Sequence, residues 1–138
     1  MLAIVDFSPQ HLDGIIAICR AENWPSYLED DTKTRGALTA PGIKTVVALE
    51  DDEVAGFATA GSDGAIQAWL ILIGVSAAHR RKGIGRRLVE EVFARTGATR
   101  IDLLSTEGAN EFYASFAHRV VPGFRLYPQM SPRRSGLA

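Results

Sequence analysis

The sequence predicts a single α/β (α+β) domain with helices on both faces of a mixed, mostly antiparallel sheet. Apolar, β-branched runs of strand length alternate with segments of helical spacing, in the order β, α, α, β, β, β, α, β, α, β, β. The chain has 138 residues, 46% of them hydrophobic, which suits one domain with a substantial core.

The N-terminal part predicts a strand and two helices. Residues 2–6 alternate as a short strand. Ser8, which precedes a proline, is a typical N-cap for a helix that reaches about residue 20. Asp30 can cap a second helix, which has to end before Pro41.

The middle of the chain predicts a hairpin and a long third strand. Residues 44–50 and 54–61 are β-branched and apolar and are separated by an acidic turn. The next strand covers residues 65–75, and we expect a bulge or a close backbone approach at Gly74. The helix after it ends at Gly97.

The C-terminal part predicts a strand, a helix and two short strands. Residues 100–104 read as a strand, and short strands follow around Val120 and over 124–127. We expect the domain to cover residues 1–127 and residues 128–138 to form a flexible tail. The last helix is predicted by apolar residues at helical spacing, namely Ala109, Phe112, Tyr113 and Phe116.

The most informative segment joins the third predicted strand of this middle region to a helix. Gly83 and Gly85 lie at the turn, where the first N–H groups of the helix lack partners and carry partial positive charge. This arrangement favours a bound anion, and a pyrophosphate more than a single carboxylate. Five of the fifteen Lys and Arg residues fall in this turn: Arg80, Arg81, Lys82, Arg86 and Arg87.

The turn has other possible interpretations. Glycines at a strand–helix junction can be ordinary turn residues, and an arginine run is often a solvated face. A Walker loop needs a Lys followed by Ser or Thr, whereas Gly85 is followed by two arginines. A dinucleotide fingerprint belongs on a first strand, and this turn lies past mid-chain.

The pattern Arg80-x-x-Gly83-x-Gly85 resembles the acyl-CoA signature of the GNAT N-acetyltransferase superfamily. The residues before it, Ile73-Gly74-Val75, are similar to the end of that family's fourth strand, and Asn110-Glu111-Phe112-Tyr113 to its late helix. The resemblance implies a splay between the fourth and fifth strands, with the pantetheine arm of acetyl-CoA in the gap.

The resemblance also implies roles for individual residues. Main-chain groups of Ile73, Gly74 and Val75 contact the cofactor, and the Val75 N–H polarises the thioester carbonyl. Asn110 binds the pantetheine arm, and Tyr113 is the general acid for the leaving thiolate. The amides that hold the diphosphate run through the turn, namely Arg80, Arg81, Lys82, Gly83, Ile84, Gly85 and Arg86.

The acceptor is expected to be a primary amine of a small molecule or a protein. Glu22 and Glu107 are candidate general bases, although each can be a solvated carboxylate and water can remove the proton instead. Trp24 and Tyr27 are candidates for shaping the acceptor pocket, or they anchor their loop. The alternative function is a non-catalytic acyl-CoA-binding module. A third hypothesis is an enzyme that binds the phosphates of a nucleotide.

Composition bounds the remaining classes. A net charge of −1 argues against general nucleic-acid binding. The single cysteine, Cys19, lies on an apolar helical stripe and is expected to be a core thiol. The three histidines are dispersed, so no metal site is expected. Without an export signal or a membrane-length apolar run, we expect a cytoplasmic protein, monomeric or homodimeric.

Overall fold

Five strands form one mixed sheet whose order in space is the order in the chain. The computed structural model describes residues 1–128. The first four strands pair antiparallel, and the fifth joins the fourth in parallel, as the mixed-sheet prediction requires. The strands are β1 (Leu2–Asp6), β2 (Ile43–Glu50), β3 (Glu53–Ser62), β4 (Gln67–Val75) and β5 (Arg100–Asp102).

Helices cover both faces of this sheet. Phe57 of β3 packs in one cluster with residues of the first two helices. Its neighbour Gly56 faces the opposite way, because a Cβ there would lie 3.0 Å from Cδ1 of Leu88 in the third helix. The predicted two-sided arrangement is therefore confirmed. The helices are α1 (Leu12–Ala21), α2 (Asp31–Thr39), α3 (Ile84–Thr96) and α4 (Asn110–Ala114).

One hydrophobic core cluster lies between the sheet and the α1/α2 pair. Cys19 is fully buried there, and burial raises the pKa of its thiol to about 11. The thiol therefore stays protonated and packs as a small apolar group, as expected from the sequence. The buried members of this cluster are Ile15, Ile18, Cys19, Leu38, Val47 and Phe57.

The predicted ends of several strands and helices are confirmed. Strand β1 has the predicted bounds. The carboxylate of Asp30 accepts the N–H groups of Thr32 and Lys33 at 2.9 and 3.3 Å, and so caps α2. Helix α3 ends at Gly97, which is left-handed with φ 73°.

The predicted bulge at Gly74 is wrong, whereas the close approach is correct. Gly74 pairs regularly with Phe57, and the register shift lies at Ile71, which has no opposite residue on β3. A Cβ on Gly74 would lie 2.7 Å from Cγ2 of Ile18, so the glycine lets α1 approach the strand. The position of a bulge depends on the partner strand, which local sequence does not specify.

Residues 1–103 form one compact unit, and residues 104–128 belong to a second. Its helix α4 is shorter than the predicted one, and no strand forms around Val120 or over 124–127, so those two strand predictions are wrong. Phe124 and Leu126 are 85% and 86% exposed. Alternating apolar residues form a strand only when they pair with a partner strand, and residues 124–127 have none. Residues 129–138 of the predicted tail lie outside the described residues.

Within residues 1–128, none of the helices has both the length and the apolar character needed to cross a membrane.

Candidate active site

Strand β4 continues well beyond the short stretch that pairs with β5. Only Gln67–Trp69 pairs with β5, while β4 continues to Val75, and no other strand of residues 1–128 pairs with that edge. The Ser76 N–H donates to the carbonyl of Ala55 on β3 at 2.8 Å. Because main-chain groups alternate along a strand, those of Val75 and Ile73 point away from β3, toward this open edge.

A strained turn leads from β4 into α3. Arg81 and Gly83 are left-handed, with φ 65° and 77°. Gly83 is the N-cap of α3 and has no side chain to occupy the first N–H groups of the helix, including those of Ile84 and Gly85. Ile84 is 2% exposed and anchors the helix start. A turn of this geometry at the positive end of a helix is suited to an anion, and we call residues 80–86 the cradle.

Arg80 lies at the start of this turn, but its hydrogen bonds run to α1 and β4. Its Nε donates to the carbonyl of Val75 at 3.2 Å, and its Nη2 forms an ion pair with Oε1 of Glu22. Arg80 therefore ties the C-terminal end of α1 to the open edge of β4. Glu22, a predicted general base, is held by a cation, and the separation of the pair by 58 positions leaves no local sequence signal.

A serine–histidine contact fixes the link between β4 and the cradle. Ser76 Oγ lies 2.6 Å from Nδ1 of His79, across the single 3₁₀ turn Ala77–His79. The same Ser-x-x-His spacing occurs before α1, where the Ser8 N–H donates to Nδ1 of His11 at 3.0 Å. We interpret both contacts as caps that stiffen short turns.

A cavity of about 470 Å³ lies on the α1 side of this link. Small α1 residues leave the space, and Arg80 with its Glu22 partner lies at the wall. The cavity therefore adjoins the end of β4 where the open edge begins. Its lining includes Gly14, Ala17, Glu22, Val75, His79 and Arg80.

The two predicted acceptor-pocket aromatics pack inward. Trp24 makes an edge contact with Phe57, with ring centroids 6.4 Å apart, and its Cη2 would lie 3.4 Å from a Cβ on Gly74. Tyr27 packs against the core cluster. These contacts anchor the α1–α2 loop on β4, so an acceptor role for either aromatic stays a prediction.

The other predicted site residues belong to the second unit. Ser105 Oγ donates to Oδ1 of Asn110 at 2.7 Å, and Glu107 is exposed. Tyr113 is half-buried against Phe112, with ring centroids 5.0 Å apart. Burial raises the pKa of its phenol, so the hydroxyl keeps its proton at neutral pH and is able to act as a hydrogen-bond donor or acid.

Solved structures share this fold. Aminoglycoside acetyltransferase AAC(6′)-Iy, in complex with a bisubstrate analogue of CoA and acetylneamine, superposes with a TM-score of 0.75 at 17% identity, covering 95% of this chain and 99% of that one. A ribosomal-protein-alanine N-acetyltransferase from Brucella melitensis superposes with a TM-score of 0.73 at 14% identity, covering 92% and 98%.

Sequence relatives agree with the fold. A mycothiol acetyltransferase from Clavibacter sepedonicus is 29% identical over 106 residues, which cover 74% of this chain and 34% of that protein. The chain thus spans about a third of the length of this curated relative. The sequence model of the acetyltransferase (GNAT) family matches residues 10–118, a range that includes the splayed strands and the cradle, and the chain belongs to that family.

Proposed function

We propose that this protein is an acetyl-CoA-dependent N-acetyltransferase that moves the acetyl group to a primary amine by direct attack. Family membership supports transfer of an acetyl group. The observation that carries the proposal is the uncapped start of α3, which follows the open edge of β4 after one short link. Structural neighbours solved with CoA, or with an analogue of it, support the choice of donor.

In this proposal the cradle binds the phosphates of the acetyl donor. Left-handed Arg81 and Gly83 turn successive N–H groups toward one side, and the positive end of the α3 dipole adds to them. Exposed Arg81 and Lys82 supply charge, since Arg80 is paired with Glu22. Together these groups suit a diphosphate.

The open edge of β4 supplies donors for the acyl group. Acetyl-CoA bound there provides an activated thioester. The Val75 N–H, proposed from the family resemblance, points to this edge, and the Ile73 N–H lies on the same edge, nearer to the paired end. Either N–H would stabilise the carbonyl oxygen as it gains negative charge.

Proton transfers complete the proposal. Tyr113 donates a hydrogen bond or a proton to the leaving sulfur, and the raised pKa of its phenol keeps the hydroxyl protonated at neutral pH. The carboxylate of Glu22 is already held in an ion pair by Arg80, so it is less available to an incoming amine. We therefore assign removal of the amine proton to water or to Glu107, which is exposed.

Calorimetric titration of CoA tests the cradle. Gly83 and Gly64 both have left-handed φ, 77° and 79°, and neither has an atom within 4 Å of an added Cβ. Gly83→Ala and Gly64→Ala should therefore cost similar stability, about 1 kcal/mol each. Only Gly83→Ala should raise the Kd for CoA, by about fivefold or more. Equal Kd values in both variants, or no CoA binding by the wild type, would overturn the proposal.

Release of free thiol from acetyl-CoA, with a pool of primary amines, tests turnover. Tyr113→Phe should lower kcat by about 100-fold while the Kd for CoA stays within twofold, because the hydroxyl acts on the leaving group. Tyr127→Phe is the control, because Tyr127 is the other tyrosine of residues 104–128 and the change removes the same hydroxyl group. Tight CoA binding with no amine-dependent release would favour the non-catalytic binding module.

A further inference from the structure

We propose that an exposed face where β4 and β5 meet recognises the acceptor, and that the acceptor is a cationic amine carried on an apolar body. The residues of this acceptor face are Trp69, Ile71 and Asp102. The inference rests on the proposed function, because it concerns the second substrate of the same site.

The sheet limits where an acceptor is able to approach. A donor arm held along the open edge, with its phosphates at α3, has to end at or before Leu70, because β5 closes the gap at Trp69. Near the cradle, Ile18 and Trp24 cover Gly74. On the α3 side, Ala68 and Leu70 are 0% and 8% exposed. The accessible stretch is therefore the α1/α2 side of β4 near its paired end, and the carbonyl donor that this inference requires is the Ile73 N–H, which lies nearer to that end than the Val75 N–H.

The three side chains of the acceptor face lie on that side. The hydroxyls of Thr59 and Thr45 are hydrogen-bonded to each other, and the Thr45 hydroxyl donates to the Leu38 carbonyl of α2 at 2.8 Å. The Thr59 side chain therefore lies on the α1/α2 side of the sheet. Gly61, two residues further, faces the same way, and its cross-strand partner is Trp69. Cδ1 of Ile71 would lie 3.7 Å from a Cβ added to Gly61, so the Ile71 side chain lies on this side as well.

Asp102 completes the face. It is the register partner of Trp69 in the parallel pair, and Gln67 Nε2 donates to its Oδ2 at 2.9 Å. Parallel register partners point to the same side, so the carboxylate lies beside the indole. Arg100, two residues before Asp102 on the same strand, donates to the Gln67 side chain and lies further from the open edge. An amine beside Trp69 therefore meets Asp102 first.

The chemistry of the face follows from these residues. Trp69 and Ile71 are 53% and 45% exposed, which is unusual for large apolar side chains in adjacent positions of a sheet. An indole attracts a cation over its ring, and a nearby carboxylate adds an ion pair. An ammonium group on a short arylalkyl body satisfies all three side chains, whereas a carboxylate-bearing acceptor would be repelled by Asp102.

Calorimetry of CoA-saturated protein tests this directly, with 2-phenylethylamine, ethylamine and 2-phenylethanol as probes. The wild type should bind 2-phenylethylamine about tenfold more tightly than ethylamine. Trp69→Ala should reduce that ratio to within twofold. Asp102→Asn should weaken 2-phenylethylamine severalfold and leave the uncharged 2-phenylethanol unchanged.

Two matched variants control for general effects. Ile66→Ala removes another exposed apolar side chain, 56% exposed, outside the acceptor face. Asp52→Asn neutralises a carboxylate in the remote β2–β3 turn. Both should bind the probes as the wild type does. An unchanged ratio in Trp69→Ala, or unchanged amine affinity in Asp102→Asn, would overturn the inference. If CoA does not bind, the proposed function fails, and the same titration of free protein still tests the face.

Discussion

Gly74→Ala tests whether the close approach of α1 to β4 is needed for a stable site. The added Cβ would lie 2.7 Å from Cγ2 of Ile18, 3.3 Å from Phe57 and 3.4 Å from Trp24. Ile18 is 4% exposed and Phe57 fully buried, so neither is able to move away freely. Overpacking of this kind costs about 1–3 kcal/mol, against a gain of roughly 0.5–1 kcal/mol from the stiffer unfolded chain.

We therefore expect the free energy of unfolding, measured by urea denaturation, to fall by about 1–2 kcal/mol. CoA affinity should fall as well, because Ile18 and Trp24 would press on the open edge. Replacing Ile18 by leucine, which has no methyl on Cβ, should recover part of the loss in the double variant.

The control for this change is another glycine replaced by alanine. Gly36 is exposed inside α2, with no atom within 4 Å of an added Cβ. Gly36→Ala should raise stability by about 0.5–1 kcal/mol through helix propensity alone. Equal or greater stability of Gly74→Ala relative to the wild type would contradict the packing argument.

Two further changes separate backbone strain and protonation from packing. Arg81→Gly removes a left-handed arginine and should raise the free energy of unfolding by about 0.5–1 kcal/mol, whereas Lys82→Gly should not, and urea titration compares them. Burial lowers the pKa of His11 below 6.5, so the unfolded chain binds more protons at acid pH. Stability should be full above pH 6.5 and decline as pH falls below it. His11→Gln should flatten that decline; an unchanged slope would exclude His11 as its cause.

Local signals carried much of the fold. The Asp30 cap and the left-handed Gly97 are decided by a few neighbouring residues, and both were predictable. The strand, glycine turn and helix start of the cradle were predictable for the same reason, whereas its role in binding phosphate stays a prediction. The bulge at Ile71 and the missing strand at 124–127 depend on which edge a strand meets, and alternation alone does not encode that partner.

The site contacts that sequence could not supply are long-range, and one of them changes the proposed chemistry. Arg80 belongs to the recognised pattern, which suggests an anion ligand, yet its guanidinium joins Glu22 and the Val75 carbonyl. The peptide that follows Val75 also donates from Ser76 to Ala55. Arg80 therefore pulls on the carbonyl while β3 holds the N–H of the same peptide, which fixes the end of β4 from both sides. A donor N–H on this edge needs such rigidity, because electrostatic stabilisation depends on dipoles that do not reorient during reaction. We therefore propose that Arg80 positions the open edge, and that Arg81 and Lys82 supply the charge for the phosphates.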